Sequence, residues 1–381
     1  MYIKHVLITG ARAPAALELA RIFSRRGHRV HMADSIPYPL SKASRHVEKY
    51  HRVRTPKQQT DGFIDDILHL VRREKIDVLI PTCEEIFYLS AYKQALEAAC
   101  EVFVEPADRL LPLHNKFTFI ETASAFGLPV PETRLCGDKV EWHAALAALK
   151  KGERWIGKPV YTRFSNDIVQ LPKEAGRQVD VHPQKKWIVQ AYIEGSLVCT
   201  YSIASHGQLL AHSVYYSKFR AGDGASVHFQ AVDEPAVDDW VETFVRKYRF
   251  HGQIAFDFIK TPQGDIYPIE CNPRLTSGVH LFRSQDLPSA FMGQRRQLLL
   301  RGQGKVALTP AMLLFGYKNI RMYGWKDFFD AFKKSEDAIF ERRDWKPFFY
   351  QFLSLYYFWK TSRKNKTSIL EATTHDISWD G

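Results

Sequence analysis

Asp257 lies inside IAFDFI, an apolar run in which it is bracketed by Phe256 and Phe258, and Glu270 and Asn272 follow in IECNPR. Both runs read as strands around the turn residues Gln263 and Gly264, so 252–273 is expected to be a hairpin. Side chains alternate along a strand, so Glu270 and Asn272 point the same way and can meet Asp257 across an antiparallel pair. Two carboxylates and an amide oxygen are hard donors. They suit Mg²⁺, with water and phosphate oxygens completing its shell. Strand interiors disfavour Asp, so its place between two phenylalanines favours chemistry over a pair of carboxylates facing solvent.

The elements that must position this cluster can be read from periodicity. The first hundred residues alternate strand and helix: HVLITG, a helix from about Pro14 to Arg26, RVHMAD, a helix from about Gly62 to Glu74, then DVLIPT and CEVFVEP. That alternation predicts a mostly parallel sheet covered by helices on both faces. The first loop, TGARAPA, lacks the GxGxxG spacing and no Walker lysine follows it. This region is therefore expected to be scaffold, or to contribute to an acceptor site, rather than to hold a dinucleotide. A helix from Lys116 to Ala125 comes next, stopped by Gly127 with Pro129 and Pro131 beyond it. Strands follow at RWIGKPV and KWIVQAYI. VCTYSIAS and QLLAHSVYYSK then flank the turn His206–Gly207, and a helix from about Asp238 to Tyr248 leads into the hairpin.

Composition bounds the function. The 381 residues are enough for two or three domains. The net charge is +11, and from Arg295 onward sixteen Lys and Arg stand against nine Asp and Glu. Such a balance fits a polyanionic ligand, an anionic membrane surface or nucleic acid. No zinc, helix-turn-helix or RNA-binding signature accompanies it, so nucleic acid is not expected. The five cysteines are scattered and never spaced as CxxC, which argues against a disulfide framework or zinc site. Without a signal-peptide pattern or a long apolar run, a cytoplasmic location is expected.

With the acidic strand residue followed by Glu-x-Asn-Pro-Arg, here Asp257 and Glu270 to Arg274, the chain resembles the ATP-grasp superfamily. The resemblance runs over about residues 1–300. It implies an α/β and α+β architecture: a Rossmann-like parallel-sheet domain over 1–112, then a two-lobed ATP-grasp domain over 113–300. The small lobe would take about 113–192 and the large lobe about 193–300, leaving 301–381 as a basic, aromatic-rich, mostly helical extension. The implied cofactors are ATP and Mg²⁺, with Mn²⁺ as an alternative metal held by Asp257, Glu270 and Asn272. Lys116 and Lys158 match the two ATP lysines, the second aimed outward from the end of a strand by Pro159. Gln190, Ala191, Tyr192 and Ile193 match the hinge that carries adenine, with the backbone reading the base edge.

Arg274 would stabilise an acyl phosphate, and Lys218 or Arg220 would reach the γ-phosphate. Two features depart from the family pattern. The loop after Lys158 has no glycine, which leaves Arg163 and Ser165 as phosphate contacts, and Glu194 stands in for the usual ribose carboxylate. Ser277, Gly278 and His280 would border the acceptor pocket, His280 as a base, a substrate contact or a packed ring.

The activity implied is ADP-forming ligation of a small-molecule carboxylate to an amine or similar nucleophile. Bicarbonate activation, as in carbamoyl phosphate synthase or biotin carboxylase, is a second reading; a non-catalytic ATP-binding regulator is a third. A homodimer is compatible with each. The extension contains PFFYQFLSLYYFWK beside basic KTSRKNK. It is read first as a helix packing Phe348, Phe352, Leu355 and Trp359 onto the body at helical spacing. The second reading is a peripheral membrane contact.

Overall fold

The computed structural model describes residues 3–161, 167–221, 225–282, 286–292, 299–316 and 320–381. The chain opens with β1 (His5–Thr9), α1 (Pro14–Arg25), β2 (Arg29–Asp34), β3 (Lys49–Arg52), α2 (Thr60–Arg73), β4 (Val78–Ile80), α3 (Glu85–Ala91), α4 (Lys93–Glu97), β5 (Glu101–Val102) and α5 (Ala107–His114). The five strands are parallel, in the order β3-β2-β1-β4-β5. Val6, Leu7 and Ile8 are buried because helices cover both faces, as the unbroken apolar run predicts.

A small antiparallel lobe follows: α6 (Lys116–Ala125), β6 (Thr133–Cys136), α7 (Lys139–Ala147), β7 (Trp155–Pro159), β8 (Val169–Leu171) and β9 (Trp187–Ala191), with strand order β6-β9-β7-β8. Its core is built on Trp142, Trp155 and Trp187.

The large lobe comprises β10 (Ser196–Ser205), β11 (Gln208–Tyr216), β12 (Arg220–Ala221), β13 (Ala225–Ser226), β14 (His228–Ala231), α8 (Pro235–Tyr248), β15 (Gly252–Lys260) and β16 (Ile266–Asn272). A 3₁₀ turn at Ser277–Leu281 and α9 (Leu287–Phe291) follow. Then come β17 (Leu300–Arg301), β18 (Lys305–Ala307), α10 (Thr309–Phe315), α11 (Ile320–Lys334), β19 (Glu336–Asp337), α12 (Lys346–Asn365) and α13 (Ile369–Ala372). One sheet runs β16-β15-β10-β11-β14-β18-β19, with β17 paired to β11, so short strands beyond residue 299 extend it. The β10–β11 hairpin turns where expected: His206 and Gly207 both take positive φ, 48° and 90°, as a two-residue hairpin turn requires.

Two features of the carboxy-terminal region depart from expectation. Phe348 packs against Ile339, Leu40 and Leu17, but Phe352, Leu355 and Trp359 are exposed, correcting the packing face proposed for α12. The helix instead seats Pro347, Gln351, Ser354, Phe358 and Ser362 inward. The second departure is the tail. It crosses the carboxyl ends of β1, β2 and β4, where open α/β sheets usually bind ligands. Arg12 grips Asp376 with both terminal nitrogens, at 2.6 and 2.8 Å, while also pairing with Asp34. Trp379 packs on Phe87 and Tyr88, and the Tyr88 hydroxyl donates to the Ser378 carbonyl. Beneath Ile377 the crevice keeps a cavity of only about 10 Å³, so the tail itself fills it, in keeping with the scaffold reading of this region rather than with a contribution to an acceptor site.

Candidate active site

The β15–β16 ribbon sorts its side chains by alternation. Phe256 and Phe258 are fully buried against Trp240 of α8, and Phe256 also against Phe119 of α6. Asp257 therefore projects from the opposite face. It stands in register with Glu270 on one side and Cys199 of β10 on the other, while Asn272 pairs with Ala255. The Lys116 ammonium lies 3.5 Å from Glu270 Oε1. Lys158 donates to the Ile269 carbonyl at 3.1 Å. Arg274 donates from Nη2 to Asn272 Oδ1 at 3.0 Å and from Nη1 to the Leu275 carbonyl. The ribbon, both lysines and the arginine thus meet in one cluster.

Local structure places each lysine. Asn115 caps α6, its Oδ1 accepting from the amides of Phe117 and Thr118. This sets Lys116 in the first turn, where the helix dipole disfavours a cation and favours an anion beside it; Glu270 supplies that anion. Lys158 reaches the ribbon from the end of β7. It is buried rather than aimed into solvent as its neighbour Pro159 suggested.

The cluster is electrostatically tense. Burial, and then repulsion from Glu270, lift Asp257 to about 6. Burial, and then Lys116, lower Lys158 to about 8. Two carboxylates facing one another with an amide oxygen beside them are a donor set that a hard divalent cation relieves. The Nε of Arg274 is buried and has no partner among the described residues. A phosphate or carboxylate oxygen would satisfy it. The residues fit a magnesium nucleotide.

The remaining site residues divide. Arg220 acts on Asp257 and Cys199 through its charge, so it belongs to the cluster, whereas Lys218 is held by Asp327 of α11 at 2.6 Å. Along the hinge, Gln190 is buried and donates to Thr133 Oγ1. The amides of Ala191 and Tyr192 already donate to the carbonyls of Glu132 and Arg154. Tyr192 is exposed under the Arg154 guanidinium, and Glu194 pairs with that arginine out in solvent. Arg163 and Ser165 lie outside the described residues. Ser277, Gly278 and His280 occupy the 3₁₀ turn after the ribbon. The Gly278 carbonyl accepts from Ser213, and the buried His280 ring stacks on Phe229, the arrangement of a packed histidine.

Sequence reasoning missed Cys199, a neutral buried thiol against Asp257, and Arg12, which only the returning tail explains. The Cys199–Asp257 pairing could have been found by extending strand registration to β10. A cavity of about 860 Å³ lies beside the site, between Asn115, Val160, Tyr161, Lys186 and tail residues such as Thr374 and His375. Neither lysine of the cluster, nor Asp257 or Glu270, lines it.

Comparison with known proteins agrees with this geometry. Residues 113–278 match the ATP-grasp domain family. No curated protein matches the chain by sequence. Among solved structures, N5-carboxyaminoimidazole synthetase from Staphylococcus aureus, complexed with ADP, superposes with TM-score 0.63 at 14% identity, covering 80% of this chain and 82% of that one. The biotin carboxylase domain of 2-oxoglutarate carboxylase from Hydrogenobacter thermophilus, a dimer with MgADP and bicarbonate, gives 0.61 at 13% identity, covering 80% and 74%. L-amino acid ligase from Bacillus licheniformis gives 0.53 at 16% identity, covering 75% and 69%. This chain carries an ATP-grasp domain at 113–278 and shares its fold with the solved structures compared.

Proposed function

We propose that the protein is an ADP-forming ligase that uses ATP to activate a small-molecule carboxylate as an acyl phosphate and passes the acyl group to an amine or similar nucleophile. The observation that carries this reading is the convergence of Lys116, Lys158 and Arg274 on the Asp257–Glu270–Asn272 face. Asp257, Glu270 and Asn272 would hold Mg²⁺, whose charge neutralises phosphate oxygens. Phosphoryl transfer depends mainly on positioning and charge stabilisation. Lys116 and Lys158 supply fixed positive charge to the phosphates. Arg220, whose charge acts on Asp257, takes the transferring group; Lys218 would first have to leave Asp327. Arg274 offers Nε to the acyl phosphate while Asn272 and the Leu275 carbonyl hold its plane. The binding of nucleotide alone does not need this arginine, which favours catalysis over a regulatory role. Bicarbonate belongs in the donor panel, because the biotin carboxylase neighbour was crystallised with it.

The test is phosphate release from ATP and Mg²⁺ across a panel of carboxylates, each with and without amines. With the productive pair, Glu270→Gln and Arg274→Ala should each lower turnover about a hundred- to a thousandfold, with the fold intact by near-ultraviolet circular dichroism. Full turnover in both variants would overturn the assignment.

A further inference from the structure

α12 is built inside out. Its inward face is rich in small polar side chains: Ser354 donates to the Tyr38 carbonyl of the body, while Ser362 and Gln351 donate to the Trp359 and Phe348 carbonyls of the helix itself. Phe358 is the one large aromatic side chain of the helix that is buried against the body. The outward face carries the hydrocarbon: Phe349, Phe352, Leu353, Leu355, Tyr356 and Trp359 are all exposed, Phe349 to 59% and Tyr356 to 58%. At 100° per residue, Phe349, Leu353 and Tyr356 form one stripe, and Lys360, Arg363 and Lys364 continue it toward the carboxyl end. Ring contacts join Phe340, Phe348, Phe349 and Phe352 into one aromatic surface, with Trp345 against Phe349. A contiguous apolar surface of this kind is rare on a protein that meets only water.

Charge decides what covers it. From Trp345 to Leu370 the chain has no Asp or Glu, while Lys346, Lys360, Arg363, Lys364 and Lys366 are all exposed. The acidic residues that bound this stretch are already engaged, Asp344 by Arg21 and Glu371 by the Ser368 cap of α13. Two copies apposed through this face would bring like charges together, whereas an anionic surface would neutralise them. Aromatic and aliphatic side chains beside Lys and Arg match the boundary between lipid headgroups and acyl chains. Among the described residues no helix is long and apolar enough to cross a membrane, so the geometry is that of a helix lying in the interface. We propose that α12 docks the protein on an anionic lipid surface, its axis parallel to the membrane plane.

The test is co-sedimentation of the full chain with vesicles of phosphatidylglycerol and phosphatidylcholine in equal parts, and with vesicles of phosphatidylcholine alone. Binding is expected to the mixed vesicles, weakening as salt rises. Phe349→Ser combined with Tyr356→Ser should lower partitioning by about tenfold or more. Lys360→Gln, Arg363→Gln and Lys364→Gln together should remove the preference for phosphatidylglycerol. All five positions are exposed, so the fold is expected to survive, and circular dichroism verifies it. Failure of the wild type to bind mixed vesicles, or equal binding to both kinds, overturns the proposal. So does a wild-type dimer in sedimentation velocity that the aromatic double variant dissolves in the absence of vesicle binding, since the face would then belong to a second copy.

Discussion

The β15–β16 ribbon and α12 break the usual partition of residues in opposite directions. The ribbon holds charge where hydrocarbon would be cheaper: Asp257, Glu270, Lys116 and Lys158 sit around a strand whose other face is packed with Phe256 and Phe258. The helix holds hydrocarbon where water would favour charge. An exposed leucine by itself carries little information, but a largely buried charged cluster or a contiguous exposed aromatic face does. In both regions stability is forgone locally, and the rest of the fold must supply it. The contrast singles out two candidate surfaces more directly than composition could, because composition averages over them.

Substitutions can break or sharpen that contrast. The largest effect is expected at Phe256, which is fully buried between Phe119, Trp240 and Phe244. Phe256→Ala should cost about 3–5 kcal/mol in urea unfolding, from lost burial plus the cavity left behind. A cost near zero would mean that the apolar backing of the ribbon does not hold it in place.

The pH dependence is next. Binding of a magnesium nucleotide needs Asp257 ionised and Lys158 protonated. Affinity should therefore rise as pH climbs through about 6 and fall as it climbs through about 8, by about tenfold per pH unit outside that window. Titration calorimetry with a non-hydrolysable analogue reads both limbs, and Lys158→Arg should flatten the alkaline one. Stability of the unliganded protein runs in the opposite sense. Between the ordinary 3.8 of an aspartate and about 6, the folded chain keeps a proton that the unfolded chain has lost, so stability falls as pH rises. Between about 8 and 10.5 the unfolded chain keeps the lysine proton that the folded chain has lost, so stability rises with pH.

The smallest effect is expected on α12. Phe352→Ser and Trp359→Ser should each shift the free energy of unfolding by no more than about 0.5 kcal/mol in urea, because these rings are about half exposed. Costs comparable to that of Phe256→Ala would show the face to be packed, and the contrast between the two regions would vanish.

The sequence alone determined what depends on neighbours in the chain. Period-two alternation and the Gln263–Gly264 turn defined the ribbon and which of its side chains share a face, since strand geometry allows no other arrangement. Helical periodicity with the Asn115 cap and Gly127 stop defined α6, and the alternation of strand and helix defined the parallel sheet. Only tertiary structure decided which face of α12 turns outward, because a helix with aromatic residues nearly all round has no internal rule for choosing one. Only tertiary structure sent Lys218 to Asp327 and let the charge of Arg220 act on Asp257, and only it brought Asp376 back to Arg12. Those outcomes rest on groups distant in sequence competing for the same partners, and the energies that settle such competition exist only once the chain has closed on itself.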